Sequence, residues 1–494
     1  MSKFNFKNTN KTVNREGFPA YKMQDKEQLV TAVLTTMFGE PKFYGSTDND
    51  IFVLATVICS EEPSFVAKLA CYARNVANMR SVSHVLACII AHEAREYTRA
   101  VIRNIIVRPD DITEIMACYK QMYGKPFPNA LKREIAEQIQ RFDEYALAKY
   151  NSRGMSMKLR DVLRITHPTP KDEKTEALFR KVLDDTLETP YTWETELSEK
   201  GNTKEVWDEL ISSGKVGYMA LLRNLRNIVK CGADIAPVLK VLSDPERVKK
   251  SRQLPFRFFS AYRMLEQEKL MTPAIHRALE KALNISVENL DTIPGRTLIA
   301  VDVSGSMTWP ISKKSTVRCS EIAGLLGAMS SRICEDATVC YFDCPGGWSC
   351  LRGDKGYIVE HYGKYDSILE ICRKHSFSGG GTQMDLPMKY ALEEDKSARL
   401  HPFDRVICFS DNVCNHSSYG LKTVQSMVDK YRKKYNPDFW VHGVDLQGYG
   451  TQQFCGKNFN LIAGWSERVL SFLLLAEKGI GSLVQTIEEY QMKY

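Results

Sequence analysis

Three polar side chains alternate directly after an apolar run in the segment "LIAVDVSGSM". They are Asp302, Ser304 and Ser306, and residues 298–301 before them are Leu, Ile, Ala and Val. An uninterrupted apolar run of this kind predicts a strand that is buried on both faces. Two kinds of chemistry use such a strand-end turn: a nucleophilic serine, or a cation held by hydroxyl and carboxylate oxygens.

The nucleophilic serine is the weaker of these two interpretations. The strand-to-helix turn of α/β-hydrolases has a glycine two residues before and two residues after the serine. Asp302 and Ser306 occupy those positions around Ser304, and no sequence motif identifies a histidine partner for Ser304. A hydrolase that uses Ser304 or metal-activated water therefore stays an alternative that no pair of carboxylates and no nucleophile–base arrangement supports.

Further oxygen ligands for a cation occur in two later segments. The glycine-rich segment "SFSGGGTQMD" contains Thr382, and the apolar run in "RVICFSDN" is followed by Asp411. Because ligands of open parallel sheets gather at the carboxyl ends of the strands, these side chains can join Asp302, Ser304 and Ser306. Five oxygen ligands suit a hard divalent cation, and Mg²⁺ is the expected ion.

The 494-residue chain has two parts with different hydrophobic patterns. From about residue 25 to 290, apolar residues recur at three- and four-residue spacing, which predicts helices stacked in degenerate pairs. After Pro294 and Gly295, apolar strands alternate with helices, which predicts an open, mostly parallel sheet covered by helices on both faces. The predicted strands are 297–303, 338–342, 405–409, 439–444 and 461–463, and the predicted helices lie near 318–333 and 420–434.

The composition excludes several classes of protein. A hydrophobic fraction of 44% and a charged fraction of 26% are ordinary for soluble globular proteins. The N-terminus lacks the apolar core of a signal peptide, and no apolar run approaches the ~20 residues of a spanning helix. The fourteen cysteines lack a disulfide-framework spacing, which favours reduced thiols. We therefore expect a cytoplasmic protein without membrane association.

The net charge of +7 is modest, so the placement of the basic residues matters more than their number. One group comprises Arg223, Arg226 and Lys230, and a second comprises Lys149, Arg153, Lys158, Arg160 and Arg164, followed by His167. Basic stripes attract phosphate without reading base sequence. From these residues alone, RNA binding and an ordinary solvated helix face are equally compatible.

The ordered set Asp-x-Ser-x-Ser, later Thr and later Asp resembles the metal-ion-dependent adhesion site of von Willebrand factor A domains. The resemblance implies that Ser304, Ser306 and Thr382 touch the metal, while Asp302 and Asp411 bind it directly or through water. It also implies one open coordination position for an acidic group of a protein partner. A metal-dependent protein-interaction scaffold that binds no RNA is therefore an alternative function.

Four segments in order, "LRDVLRITHPTP", "MALLRNLRNIV", "LPFRFFSAYRMLE" and "GGGTQMDLPM", resemble the TROVE-module family of Ro RNA-binding autoantigens and their bacterial relatives. The resemblance implies a mixed fold. An N-terminal extension (1–20) would precede a ring of all-α HEAT-like repeats (21–293) and an α/β, Rossmann-like von Willebrand factor A domain (294–494). Residues 344–357 depart from the vertebrate pattern as an inserted loop.

The same resemblance implies a monomeric, non-enzymatic ribonucleoprotein component for RNA quality control or stability. It would bind small noncoding Y RNAs on its outer surface and the ends of misfolded RNAs in the central hole. An exoribonuclease bound through the RNA is a further expected partner. Lys149, Arg153 and His167 fall on positions that the family uses for Y RNA. Charge alone adds the remaining predicted RNA-binding residues, Arg164, Arg223, Arg226 and Lys230.

Overall fold

The structure is a computed structural model, and its described residues are interrupted by short gaps. It describes residues 11–13, 19–21, 25–35, 47–151, 156–253, 255–310, 317–345, 355–375, 379–411, 421–447, 458–463, 468–477 and 480–493. Near the N-terminus, strand β1 (Lys11–Val13) pairs in antiparallel fashion with β2 (Pro19–Tyr21).

Helices fill the described residues from 25 to 287. They are α1 (Asp25–Thr35), α2 (Thr47–Glu61), α3 (Pro63–Asn75), α4 (Arg80–Glu93), α5 (Arg95–Ile105), α6 (Pro109–Tyr123), α7 (Asn129–Gln138), α8 (Glu144–Lys149), α9 (Leu159–Thr166), α10 (Glu173–Asp184), α11 (Trp193–Lys200), α12 (Lys204–Ser212), α13 (Tyr218–Lys230), α14 (Ala236–Leu242), α15 (Pro245–Ser251), α16 (Pro255–Gln267) and α17 (Pro273–Val287). This confirms the predicted all-α region.

Helix α13 shows why this sequence forms amphipathic helices. Leu221, Leu222, Leu225 and Ile228 are buried on one face, as their three- and four-residue spacing predicts. After the helix, Gly232 has a φ of +69°, a left-handed conformation that glycine adopts without a steric penalty. The apolar spacing therefore sets the buried face, and the glycine ends the helix.

Contacts divide the chain into two compact units. The helical unit comprises residues 25–38, 48–201 and 483–494, and the sheet-containing unit comprises 1–24, 39–47 and 202–482. In the helical unit α3 packs on α4 and α5, α4 on α6, and α5 on α7. This contact of each helix with the next but one is typical of stacked helix pairs.

The C-terminal residues belong to the helical unit. Asn104 of α5 donates to the carbonyl oxygen of Lys493 over 2.8 Å and accepts from its backbone N–H over 3.1 Å. The ring of Tyr490 lies edge-on to that of Tyr72, with 5.9 Å between the centroids. The C-terminal residues therefore pack against α3 and α5 of the helical unit.

Strands and helices alternate after residue 290. The strands are β3 (Ile293–Asp302), β4 (Cys334–Phe342), β5 (Tyr357–Glu360), β6 (Arg405–Ser410), β7 (Trp440–Asp445) and β8 (Phe459–Ala463). The helices are α18 (Cys319–Ile333), α19 (Ile368–Lys374), α20 (Leu386–Lys389), α21 (Leu421–Lys434), α22 (Arg468–Glu477) and α23 (Ile480–Glu488). The predicted alternation is confirmed.

The six strands form one sheet in the order β5-β4-β3-β6-β7-β8. All neighbouring pairs are parallel except β4 and β5, so the prediction of a mostly parallel sheet is confirmed. Leu298 and Ala300 share a buried cluster with Val428 of α21. A Cβ at Gly327 of α18 would lie 2.7 Å from Val301, on the other face of β3. Helices therefore cover both faces, and β3 is buried on both.

None of the helices in the described ranges combines the length and the hydropathy that crossing a membrane requires.

Candidate functional site

Four of the five predicted metal ligands form a hydrogen-bonded group at the carboxyl end of β3. The Thr382 hydroxyl donates to Ser304 Oγ over 2.8 Å, and Ser304 Oγ lies 3.3 Å from Ser306 Oγ. The Ser304 backbone N–H donates to Asp302 Oδ1 over 2.9 Å. We call Asp302, Ser304, Ser306 and Thr382 the oxygen cluster. Residues 78 positions apart in sequence therefore meet at one sheet edge.

Asp302 is fully buried, and its carboxylate is surrounded by hydroxyl and amide donors. The Ser410 hydroxyl donates to Asp302 Oδ2 over 2.6 Å. Burial raises the pKa of Asp302 to about 6, and repulsion from the Asp343 carboxylate adds to this, whereas the hydrogen bonds from Ser304 and Ser410 act in the opposite direction. Within the described ranges, Asp302 forms no ion pair with a Lys, Arg or His.

The fifth predicted ligand lies at the same edge of the sheet. Asp411 follows Ser410 directly at the end of β6, and 2% of it is exposed. Because β6 is the parallel neighbour of β3, the two strands end side by side. The structure thus places Asp411 beside the residue that contacts Asp302.

A glycine-rich loop holds Thr382 against the end of β3. The backbone N–H of Gly305 donates to the carbonyl oxygen of Gly380 over 2.7 Å. A Cβ at Gly380 would lie only 2.7 Å from Asp343 Oδ2, so a larger residue would force the loop to move. The Gln383 backbone N–H donates to the Asp343 carbonyl oxygen over 2.8 Å. The close backbone approach therefore requires glycine and positions the threonine hydroxyl.

The spacing of the hydroxyl oxygens fits a magnesium ion. Neighbouring ligands of an octahedral ion with bonds of about 2.0–2.1 Å lie about 3 Å apart. The separations from Ser304 Oγ, 2.8 Å to Thr382 and 3.3 Å to Ser306, bracket this value. No cluster of three or more His, Cys, Asp or Glu side chains suited to a metal occurs in the described part of the chain. A cation at this edge would therefore depend on hydroxyl oxygens as much as on carboxylates.

Sequence reasoning missed two residues of this edge, Ser410 and Asp343. Ser410 lies in the segment "RVICFSDN", one position before the predicted ligand Asp411. Asp343 follows the apolar end of β4, so the strand-end argument used for Asp302 and Asp411 applies to it as well. Both are buried.

The Ser304 hydroxyl contacts two hydroxyls and a carboxylate. It is hydrogen bonded to Ser306 Oγ and Thr382 Oγ1, and it also forms a hydrogen bond with the Asp302 carboxylate. Among the described residues these partners include no histidine, which is the usual general base for a serine nucleophile.

The second group of predicted RNA-binding residues lies around α8 and α9 in the helical unit. Lys149 is exposed in the last turn of α8, and Arg164 is exposed in the last turn of α9. His167 ends α9 as an exposed left-handed residue with a φ of 45°. Neither Lys149 nor Arg164 forms an ion pair with another described residue. Arg153 lies outside the described residues.

The basic residues on α13, in the sheet-containing unit, differ from Lys149 and Arg164 because two of the three form ion pairs. Arg223 is exposed, as predicted. Arg226 Nη1 lies 3.3 Å from Glu268 Oε1, and Lys230 forms an ion pair with the other oxygen of Glu268. One acidic side chain from the end of α16 therefore neutralises part of this stripe.

A buried charged cluster lies elsewhere in the helical unit. Asp111 is fully buried between Arg74 Nη2 at 2.9 Å, Arg80 Nε at 2.6 Å and His84 Nε2 at 3.2 Å. Burial alone would raise the pKa of Asp111, but these cations and backbone N–H groups hold it far below its usual range. Burial lowers the pKa of His84, but the carboxylates of Asp111 and Glu114 outweigh this and raise it. The cluster satisfies its own charges and serves the fold.

Two family models match consecutive parts of the chain. The TROVE domain matches residues 20–186 and 184–275, which together are more than half of the chain. The Ro60 vWA domain matches residues 296–441. The second match contains the oxygen cluster and Asp411, and the first contains every predicted RNA-binding residue.

Curated relatives and a solved structure agree with these matches. Telomerase protein component 1 of Mus musculus is 23% identical over 89% of this chain, and the chain spans 23% of that relative's length. The RNA-binding protein RO60 of Deinococcus radiodurans is 31% identical over 40% of this chain and 37% of its own length. The crystal structure of the Deinococcus radiodurans RO (RSR) protein covers 92% of this chain and 100% of its own, with a TM-score of 0.67 at 17% identity, which establishes the shared fold. The chain therefore belongs to the TROVE family and carries a Ro60-type von Willebrand factor A domain after its helical region.

Proposed function

We propose that this protein binds small noncoding RNAs of the Y type and misfolded structured RNAs, and that it acts in RNA quality control or RNA stability. Two exposed cations inside the matched TROVE domain, Lys149 and Arg164, carry the proposal. Neither of them forms an ion pair with another described residue. A cation without a carboxylate partner can neutralise a phosphate at no cost in broken ion pairs. The name of the bacterial relative, RNA-binding protein RO60, supports the RNA-binding part of this proposal.

A salt series on a charge-removal variant tests this proposal. We expect Lys149→Ala, Arg153→Ala and Arg164→Ala together to weaken binding of a fluorescently labelled Y-type RNA. Each lost phosphate contact should lower the slope of log affinity against log salt by roughly 0.7–0.9. His167→Ala alone should weaken binding of the structured RNA selectively, because an imidazole at a helix end can contact a specific group of the RNA.

The matched control removes three exposed charges from the sheet-containing unit. Lys430, Lys433 and Lys434 of α21 are exposed, and their replacement by alanine changes the net charge by the same amount. We expect this control to keep the affinity and the salt slope of the wild type. Equal behaviour of the two triple variants would show that the RNA surface has been misplaced.

A second function, binding of an acidic protein partner, rests on the oxygen cluster. We propose that Ser304, Ser306 and Thr382 hold Mg²⁺ directly, and that Asp302 and Asp411 hold it directly or through water. The support is the ~3 Å spacing of the hydroxyl oxygens around a buried carboxylate that lacks a described ion-pair partner. A bound Mg²⁺ would supply an electrophilic position for a carboxylate of the partner, since hydroxyl ligands add no charge.

RNA content separates this second function from the first. RNA that is crosslinked to the protein in its native extract and is recovered with the purified protein supports the ribonucleoprotein function. A protein that carries no RNA but retains an acidic partner in Mg²⁺, and releases it with chelator, would instead be a metal-dependent scaffold.

A further inference from the structure

An aromatic and basic surface surrounds helix α8, and sequence reasoning identified only one of its residues. We call Arg108, Tyr145, Lys149 and Tyr150 the α8 patch. Lys149 Nζ lies 5.7 Å from the ring centroid of Tyr145 and 5.8 Å from that of Tyr150. The guanidinium carbon of Arg108 lies 5.0 Å from the ring centroid of Tyr150. Each cation is thus within the ~6 Å at which a cation and an aromatic ring attract each other.

The acidic residues next to the patch are engaged elsewhere. Both oxygens of Glu144 accept from Lys181, over 2.8 and 2.9 Å. Asp143 accepts from the backbone N–H of Ala146 and caps α8. Arg108 is itself paired, at 2.6 Å, with Asp110. Lys149 is therefore the cation of the patch that remains available to an anion.

Tyr145 presents its ring to solvent beside this cation. It is 54% exposed, whereas Tyr150, at the end of the same helix, is half-buried under Arg108. Tyr145 and Lys149 are four residues apart on α8, which places them on one face of the helix. A single exposed tyrosine is ordinary on a protein surface. An exposed ring with an available lysine one turn away is the arrangement that single-stranded nucleic acid binding uses, because the base stacks while the phosphate meets the cation.

We propose that the α8 patch binds an unpaired RNA nucleotide, whose base stacks on Tyr145 and whose phosphate contacts Lys149. This inference rests on the proposed RNA-binding function and adds to it the kind of RNA segment that this surface takes. A base inside a duplex has both faces covered by its neighbours, so it cannot offer a face to Tyr145. The ligand is therefore a loop, a bulge or a single-stranded end.

The test uses two probes on the full chain. One is a single-stranded RNA 12-mer that contains the fluorescent base 2-aminopurine, and the other is the same strand in a blunt duplex. We expect Tyr145→Ala to weaken single-strand binding by about 5- to 150-fold, which corresponds to about 1–3 kcal/mol per stacked base, and to abolish quenching of 2-aminopurine. Tyr145→Phe should retain both, because it keeps the ring. Duplex binding should be equal in all variants.

Two further controls make the result decisive. Tyr145→Leu keeps much of the apolar area but lacks the ring, so it should behave as Tyr145→Ala does. Tyr365→Ala removes a 92% exposed tyrosine from the sheet-containing unit and should change nothing. Unchanged affinity and quenching in Tyr145→Ala would overturn the inference while leaving RNA binding of the wild type intact. A wild type that binds neither the probes nor Y-type RNA would overturn the proposed function as well.

Discussion

Two fully buried aspartates, Asp111 in the helical unit and Asp302 in the sheet-containing unit, show two ways to place a carboxylate in a protein interior. Asp111 is surrounded by Arg74, Arg80 and His84 on neighbouring helices, and its pKa lies far below the usual range. Asp302 is surrounded by hydroxyls and a second carboxylate, and burial raises its pKa to about 6.

The difference separates a carboxylate that is paired within the protein from one that we propose as a metal ligand. A buried charge is tolerated when a partner compensates for its lost hydration. At Asp111 the protein supplies cations from its own side chains. At Asp302 the described residues supply hydrogen bonds but no ion-pair partner, so a cation from solution would stabilise the charged form.

Asp111→Asn should produce the largest loss of stability. The substitution leaves Arg74, Arg80 and His84 in a partly buried site without their carboxylate, and breaking a buried ion pair in this way costs about 3–5 kcal/mol. Denaturant unfolding measures the loss. Asp143→Asn is the control, because asparagine also caps helices and the residue is exposed, so its cost should stay under about 0.5 kcal/mol. Equal costs for the two variants would mean that the cluster contributes little.

Magnesium should stabilise the wild type by an amount that the oxygen cluster controls. At a Mg²⁺ concentration a hundredfold above the dissociation constant, mass action gives about 2.7 kcal/mol. Calorimetric melts with Mg²⁺ and with chelator measure it, and Thr382→Val should remove most of the shift because it replaces the hydroxyl by a methyl group. Thr338→Val, a fully buried threonine of β4, should keep the shift. Equal melting temperatures of the wild type with and without Mg²⁺ would show that the site binds none.

The Asp111 cluster should also make stability depend on pH through His84, with a smaller effect. The folded pKa of His84 is raised above its usual value of 6.5, because its contacts with Asp111 and Glu114 outweigh burial. Its contribution is therefore fully present below pH 6.5 and is lost as pH rises through the raised folded pKa. The stability difference between the wild type and His84→Gln should accordingly shrink with increasing pH. A His84→Gln difference that grows with pH would contradict the assignment.

The smallest expected effect is that of the oxygen cluster on RNA affinity. The predicted RNA-binding residues do not include any residue of the oxygen cluster, so Thr382→Val should bind Y-type RNA as the wild type does when both are measured in the same Mg²⁺ buffer. Fluorescence anisotropy measures this. A clear loss of affinity in Thr382→Val would show that the oxygen cluster takes part in RNA recognition and would break the separation between the two sites.

Much of the sheet could be predicted because its signals are local. The run before Asp302 predicted β3, and the helix expected near 318–333 is α18, Cys319–Ile333. Strand β5 was not predicted, because its four residues carry too short a pattern and lie on the antiparallel edge. The basic stripe on α13 was predicted from charge spacing, but its pairing with Glu268 could not be, since the two lie 38 or more residues apart.

Hydrophobic periodicity and strand-end polarity are properties of neighbouring residues, so they were enough to predict every strand of the sheet except β5 and the chemical types available at the end of β3. Which of these groups meet depended on the packing of distant segments. Packing joined Thr382 to Ser304, set Ser410 against Asp302, and brought the guanidinium carbon of Arg108 to 5.0 Å from the ring centroid of Tyr150. The physical reason is that desolvation, ion pairing and exposure depend on side chains brought together by packing, and packing joins residues that no local pattern connects.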